Sequence, residues 1–346
     1  PVTSNLFVNV PVIKNKSAVI AGFRATYSDW ILKSLKNEQL KKSSASFYDF
    51  FTKYNHEINE NNSIQASLYY SDDKFKISSD SLLNYNNRLI GINWEHKYTK
   101  KMSSQLLLNN SDYKYGLDYS NRNDKYKSFK SGFHINETNA QIKFENKLNN
   151  KYTVNYGLSG KLYNVNPGYL NPKETTSLIV PIDLINEKAL EASAYIKTEA
   201  KLTEKLLINI GGRYTLFNYL GANTQRIYQS GLPKNDATLI ETKEYKNNEV
   251  IKKYGGFEPR ISARYMLTNS LSTKIGYDKT YQYIHLLSTN TTQTPTDIWK
   301  LSDINVKPQI GEQFSIGFYK NLNEVYEISL EGYTKKSKNI LDYKTG

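Results

Sequence analysis

Apolar and polar residues alternate one by one along most of this chain. In one such run Ile64, Ala66 and Leu68 share one face, and Gln65 and Ser67 share the other. Comparable runs occupy residues 140–145, 152–159, 190–197 and 206–216. A β-strand directs successive side chains to opposite faces, so each run predicts a strand with one apolar and one polar face. Helical periodicity accounts for these runs less well.

Short polar turns alternate with longer polar segments along the chain. The short turns are predicted at residues 14–16, 59–62, 99–101, 149–151, 203–205, 268–270 and 321–323. The longer segments are predicted at residues 33–43, 78–86, 118–127, 164–186, 221–255 and 284–309. Each short turn closes an antiparallel hairpin, so this rhythm predicts about fourteen strands. Most runs are longer than the roughly five or six residues typical of strands in soluble sheets.

A long sheet with one apolar face can be placed in two ways. The apolar face can pack on a second sheet in a soluble sandwich, or it can face lipid around a closed barrel. Transmembrane barrels combine long strands, short turns at one end, longer loops at the other and aromatic residues near strand ends. The chain has all four features, with run-end aromatics such as Phe50, Phe51, Tyr69 and Tyr219. We therefore predict an all-β fold, an antiparallel transmembrane β-barrel with short periplasmic turns and long extracellular loops. The sandwich stays as the alternative.

Composition agrees with a barrel and excludes several other classes. A mean hydropathy of −0.63 is low for a protein with a large core but suits strands that keep one face in water. The absence of cysteine excludes a disulfide framework and thiol chemistry. No apolar run approaches the roughly 18 residues that a membrane-spanning helix needs. The net charge of +13 comes mostly from lysines spread along strands and turns, so it indicates solvated surface and not a nucleic-acid partner.

One segment resembles a known family. Residues 257–265 read FEPRISARY, which is similar to a strand of TonB-dependent outer-membrane transporters of Bacteroidetes type. Further matches follow in order: QYIHLLS at 282–288, PTDIW at 295–299, KPQ at 307–309, QFSIG at 313–317 and NILDYK at 339–344. The resemblance implies a plugged barrel of about 22 strands, of which this chain would supply about fourteen.

The resemblance implies that residues 1–346 are an incomplete barrel domain, without the plug domain and the C-terminal strands. An incomplete barrel predicts an open sheet whose first and last strands have unpaired edges. The implied function is active uptake of a bulky, scarce solute such as a siderophore, haem, cobalamin, a glycan or a peptide. The implied location is the outer membrane of a Gram-negative bacterium. The implied partners are outer-membrane lipid, the TonB energy-coupling complex (reached through the plug), a small or oligomeric solute and a surface lipoprotein.

Two other functions stay open as alternatives. The first is a passive porin or surface-binding barrel without energy coupling, and the second is an outer-membrane enzyme. The chain has no Gly-x-Ser-x-Gly motif, P-loop or HExxH motif. Its four histidines, His56, His96, His134 and His285, lack metal-ligand spacing. We therefore expect no catalytic residues, no metal site and no cofactor.

Two groups of residues are candidates for binding. The first consists of cations on the predicted polar face, which would meet plug carboxylates or an anionic solute in the lumen: Arg213, Arg260, Arg264 and Lys274. Alternatively, these cations solvate the wall and pair with neighbours such as Glu199, Asp278 and Glu327. The second group lies in the loop 282–299 and would contact ligand: His285, Asp297 and Trp299. Alternatively, this loop folds inward and packs against the plug or seals the vestibule.

Overall fold

The computed structural model describes residues 2–77, 80–120, 124–287, 298–322 and 325–341. The strands are β1 (Thr3–Ile13), β2 (Ser17–Thr26), β3 (Ser44–Asn59), β4 (Asn62–Ile77), β5 (Ser81–Lys97), β6 (Met102–Tyr119), β7 (Phe129–Lys147), β8 (Tyr152–Pro172), β9 (Ile182–Asp183), β10 (Glu187–Lys201), β11 (Leu206–Leu220), β12 (Asn223–Tyr228), β13 (Leu239–Tyr245), β14 (Val250–Thr268), β15 (Leu271–Gln282), β16 (Ile284–Leu287), β17 (Ile298–Leu301), β18 (Gln309–Leu322) and β19 (Tyr326–Lys338). Within these ranges, helical structure is limited to α1 (Asp29–Ser34), α2 (Glu38–Lys41) and two 3-10 turns, Lys125–Lys127 and Asp236–Thr238. No helix in the described ranges is long and apolar enough to cross a lipid bilayer.

One antiparallel sheet of 15 strands forms the body of the structure. Its strands follow the order β1 to β8, β10, β11, β14, β15, β18 and β19, and β9 pairs with β8. Within the described residues β1 pairs only with β2, and β19 only with β18. The predicted all-β antiparallel fold with an open sheet is therefore confirmed. Two small hairpins, β12–β13 and β16–β17, stand outside this sheet.

The strands are longer than the polarity pattern predicts. The predicted loop 78–86 is wrong over most of its length, because β5 already begins at Ser81. Likewise β8 continues to Pro172, and β14 starts at Val250, inside segments that we expected to be loops. The physical reason is that backbone pairing continues beyond the apolar band. Where both faces of a sheet meet water, polar side chains on both faces are compatible with a strand.

The apolar face of the sheet is uncovered. Large side chains on this face are about half exposed, among them Ile92, Leu158, Ile196 and Ile210. Residues paired across neighbouring strands lie on the same face of a sheet. The registers pair Ile92 with Leu108 and Ile196 with Tyr156, and such pairs continue the apolar face from strand to strand. A soluble sandwich would cover this face with a second sheet, and the described residues contain no such sheet. The sandwich alternative is therefore wrong for this chain.

Candidate functional site

The opposite, polar face of the sheet carries the candidate site, and we call it the inner face. Cross-strand partners share a face, so the register places Arg213 of β11 beside Glu258 of β14 and Tyr195 of β10 there. Buried residues concentrate on this face, which is covered by the β16–β17 hairpin. The site consists of a row of charged groups, an aromatic cluster and the hairpin.

The row of charged groups crosses five neighbouring strands, and we call it the inner ladder. It consists of four contacts: Lys161 Nζ to Glu137 Oε1 (3.3 Å), the Tyr163 hydroxyl donating to Glu191 (3.0 Å), Arg213 Nη2 donating to Glu191 (3.3 Å), and the Thr215 hydroxyl donating to Glu258 (2.7 Å). Arg213 therefore pairs with Glu191, and Glu199, which we considered as a neighbour, is not its partner. Most of the polar groups in the ladder have a partner, as burial on a sheet face requires.

An aromatic cluster lies next to the inner ladder. Its members are almost fully buried: Tyr163, Val165, Ala189, Phe217, Tyr219, Tyr283 and Leu301. The rings of Phe217 and Tyr283 stack with centroids 4.6 Å apart and an interplanar angle of 3°. Nearby, Gly256 leaves room for the ring of Tyr281, because a Cβ atom at this position would lie 2.3 Å from ring atoms. The cluster therefore joins strands β8, β10 and β11 to the chain that enters the hairpin.

The β16–β17 hairpin is fixed to the inner face by a buried ionic network. The Glu187 carboxylate accepts hydrogen bonds from the Leu301 backbone N–H (2.6 Å) and from the Lys300 ammonium. Lys300 Nζ also lies 2.9 Å from Asp303 Oδ2. Burial by itself would lower the pKa of Lys300, but the two carboxylates outweigh it and raise that pKa above its ordinary value. The ammonium therefore stays charged and holds the hairpin against β10.

His285 lies within this hairpin and is 1% exposed. Its Nε2 atom is 2.8 Å from the Ser302 hydroxyl, and its buried Nδ1 atom has no hydrogen-bond partner among the described residues. Burial, together with the positive charge of Lys300, lowers the pKa of His285 to about 4, and Asp303 opposes this only in part. His285 is therefore neutral at pH 7.

We predict that acid loosens the hairpin through His285. The folded pKa of about 4 lies below the ordinary 6.5, so the unfolded hairpin binds more protons between these values. Stability is thus lost as the pH falls through this window, by about 2 kcal/mol at pH 5. Urea titrations that follow Trp299 fluorescence at pH 7 and pH 5 measure the loss.

The matched variants for this prediction replace histidine by glutamine. H285Q removes the titrating group and is expected to flatten the pH dependence of hairpin unfolding. H96Q, at the short-turn end of β5, should keep the wild-type dependence. An unchanged pH dependence in H285Q would assign the effect to another group.

The other three predicted cations also lie on the inner face. The register places Arg260 beside Gly211, and Arg264 beside both Leu207 and Lys274. Within the described residues no carboxylate forms an ion pair with Arg260, Arg264 or Lys274, although Asp278 is the register partner of Arg260. Arg264 and Lys274 both line a groove of about 500 Å³ near the short turns, together with Asn209, Ser262, Tyr319 and Glu327. Two like charges directly opposite each other destabilise a sheet unless an anion lies nearby.

The candidate loop residues have different positions. His285 is buried in the hairpin, and Trp299 is partly buried against the aromatic cluster. Asp297 lies outside the described residues. The stem of this loop thus packs against the inner face, as the inward-folding alternative describes. Ligand contact by these residues stays a prediction.

The sequence did not reveal the three residues that anchor the hairpin. Glu187 fits the alternation of β10, and Lys300 and Asp303 lie in a segment without periodicity. Only the register of the sheet brings Glu187 to Lys300, 113 positions later in the chain. Over the ranges that the structure describes, no three His, Asp or Glu side chains are arranged to hold a metal ion.

Comparison with known proteins identifies a matching family and similar folds. The family profile described as "TonB dependent receptor-like, beta-barrel" matches residues 21–346. No curated protein sequence is significantly similar to the chain.

Three solved structures illustrate the similarity in fold. The ferripyoverdine receptor of the outer membrane of Pseudomonas aeruginosa is 13% identical with a TM-score of 0.67, over 98% of this chain and 47% of that one. BauA, the ferric preacinetobactin receptor from Acinetobacter baumannii, is 11% identical with a TM-score of 0.65, over 96% and 51%. The Serratia marcescens hemophore receptor, bound to hemophore and heme, is 10% identical with a TM-score of 0.64, over 98% and 54%. The chain thus spans about half the length of the structures it matches.

Proposed function

The chain belongs to the TonB-dependent receptor-like β-barrel family, and on that premise we propose that it forms part of the wall of an outer-membrane receptor for active uptake of a scarce, bulky solute. The observation that carries this proposal is the two-faced sheet within the family match. Its apolar face is uncovered, and its inner face carries paired charges, aromatic rings and an anchored hairpin. A barrel in lipid has an apolar exterior and a polar interior. We place this barrel in the outer membrane of a Gram-negative bacterium.

Three cations of the inner face without ion pairs in the described residues indicate that a negatively charged group binds in the lumen. Arg260, Arg264 and Lys274 form no ion pairs with carboxylates within the described residues, and Arg264 and Lys274 line one groove of the inner face. An anion beside them would offset the repulsion between Arg264 and Lys274. We propose that carboxylates of a plug domain or an anionic solute fill this role. Ferric chelates and heme, which the structurally similar receptors bind, are candidate solutes.

Energy coupling and further partners complete the proposal. A plug domain outside these residues would contact the TonB energy-coupling complex, and a surface lipoprotein would deliver the solute. The motifs at 257–265 and 282–299 support a receptor of Bacteroidetes type. The family is a receptor family, and we propose that this member has no enzymatic activity.

An uptake assay tests the proposed function. Cells that carry or lack the gene for the full-length protein compete under limitation of iron, heme, cobalamin or a glycan, with and without a functional TonB complex. Active uptake predicts a growth advantage on one of these solutes that disappears when TonB is removed.

A conductance measurement separates the receptor from a porin. The full-length protein is inserted into planar bilayers in the absence of TonB. A plugged receptor should show no steady conductance, and a passive porin should conduct at once. Steady conductance, together with growth that does not depend on TonB, would contradict the proposed function.

A further inference from the structure

A polar cluster lies on the outer, apolar face of the sheet, where lipid contact is expected. Its members are Tyr70 of β4, Arg88 of β5, Asp112 and Lys114 of β6, and His134 and Asn136 of β7. The register aligns Tyr70, Arg88, Asp112 and Asn136 in one row, and places Lys114 and His134 side by side in the next. We call these six residues the outer cluster.

The outer cluster directly follows the apolar band. One register row nearer to the short turns contains Leu68 and Ile90, and the row below it contains Ile92 and Leu108. On β4 and β5, the exposed apolar side chains of the band therefore end one register row before Arg88. Short turns mark the periplasmic end of such barrels, so the outer cluster lies at the extracellular edge of the band. This is the depth of the headgroups of the outer leaflet.

Asp112 is the hub of the outer cluster, and only 8% of its side chain is exposed. Its Oδ2 atom lies 2.7 Å from His134 Nε2 and accepts a hydrogen bond from Asn136 (3.0 Å). Arg88 and Lys114 approach the same carboxylate more loosely, at 4.0 Å and 3.7 Å. The hydrogen bonds from His134 and Asn136 both involve Oδ2 of Asp112. Within the described residues Arg88 and Lys114 form ion pairs with Asp112 but no hydrogen bond to it.

The charges of the outer cluster do not balance. Two permanent cations, Arg88 and Lys114, face one carboxylate, and about half of each cationic side chain is exposed. Cations beside an apolar band need an anion or water to replace the hydration that they lose. A phosphate group provides several acceptor oxygens and suits the planar donors of arginine and the ammonium of lysine. A second site of this kind occurs on the same face, where Lys279 and Lys338 both lie 3.9 Å from Glu312.

We propose that Arg88 and Lys114 bind the phosphate headgroup of an outer-leaflet glycolipid, against the outside of the sheet. His134 and Asn136 hold Asp112, and Asp112 keeps both cations directed at the headgroup. The apolar band formed by residues such as Ile90 and Ile92 receives the acyl chains of the same lipid. The inference rests on the proposed membrane placement but not on uptake.

Binding of defined lipids to the full-length protein tests the proposal. Native mass spectrometry of the detergent-solubilised protein measures the binding of diphosphorylated lipid A and of the same lipid after enzymatic dephosphorylation. We expect the phosphorylated form to bind about tenfold or more tightly, because charge-assisted hydrogen bonds to phosphate are strong. In R88Q/K114Q the preference for the phosphorylated lipid should fall to what the site at Lys279 and Lys338 retains, and adding K279Q/K338Q should make the two lipids bind equally. The single variants R88Q and K114Q should give intermediate values, which keeps the test valid if the double variant does not fold.

A matched control carries the same loss of charge on the opposite face. K143Q/K197Q removes two lysines of the inner face that form no ion pairs within the described residues, and it should keep the wild-type lipid preference. Equal binding of both lipids by the wild type would overturn the proposal. So would competition by inorganic phosphate at the concentration of the lipid, because that result would assign the cluster to a free anion. A protein that binds the lipid but shows no uptake would contradict only the proposed function.

Discussion

Replacing Glu187 with alanine is expected to release the β16–β17 hairpin from the inner face. The change removes the acceptor of the Leu301 N–H and leaves the buried Lys300 with Asp303 as its one carboxylate partner. Removing one member of a buried ionic network costs about 3–5 kcal/mol. Hydrogen exchange reports the loss at the Ser302 N–H, which donates to the Tyr283 carbonyl and not to Glu187. We expect exchange there to become at least about a hundredfold faster.

Two further variants separate the ionic network from general destabilisation. E241A removes an exposed carboxylate of β13 that has no ion pair within the described residues, and it should leave Ser302 exchange unchanged. E187Q/K300M/D303N removes all three charges of the network and keeps side-chain carbonyls that can accept from the Leu301 and Asn305 N–H groups, so it should recover much of the protection, because no buried charge loses its partner. If Ser302 stays protected in E187A, the network does not hold the hairpin.

The architecture could be predicted from the sequence because its signals are local. Alternation in runs such as 64–70 reports that one face is apolar and the other is wet, and the turns at 59–62 and 203–205 fix where strands reverse. Loop boundaries could not be predicted in the same way. Residues 81–86 mix Ser81, Asn84 and Asn86 with apolar side chains and lack strict alternation, yet they pair with both β4 and β6. Polarity indicates contact with water. On the extracellular side of the apolar band both strand and loop residues contact water, so polarity cannot show where a strand ends.

The candidate site was predictable only in part, because its contacts join distant segments. Alternation placed Arg213, Arg260, Arg264 and Lys274 on the polar face, and in the register these residues lie on the face opposite the apolar side chains. It could not predict that Arg213 pairs with Glu191 while the other three form no ion pair with any carboxylate in the described part of the chain. Which residues face each other depends on the stagger between strands, and a shift of one residue would place a side chain on the opposite face.

The anchored hairpin depends on packing as well as on charge. The side chain of Phe217 is fully buried, and its ring lies parallel to that of Tyr283, the residue immediately before β16. Leu301 of β17, also fully buried, belongs to the same cluster. Phe217 itself belongs to β11, whose backbone pairs with β10 and β14 along its length. A loss of packing at Phe217 should therefore affect the hairpin more than the sheet.

Replacing Phe217 with alanine is expected to destabilise the hairpin by about 3–5 kcal/mol, the usual cost of such a cavity. Trp299 packs against the cluster, so a red shift of its emission at lower urea concentration, before the sheet unfolds, should report the change. L216A is the matched control, because Leu216 immediately precedes Phe217 in β11, lies on the apolar face and is half exposed. Equal shifts in F217A and L216A would show that the cluster does not hold the hairpin. A shift in F217A alone, in a protein that retains Glu187 and Lys300, would show that the ionic network is insufficient without the packed rings.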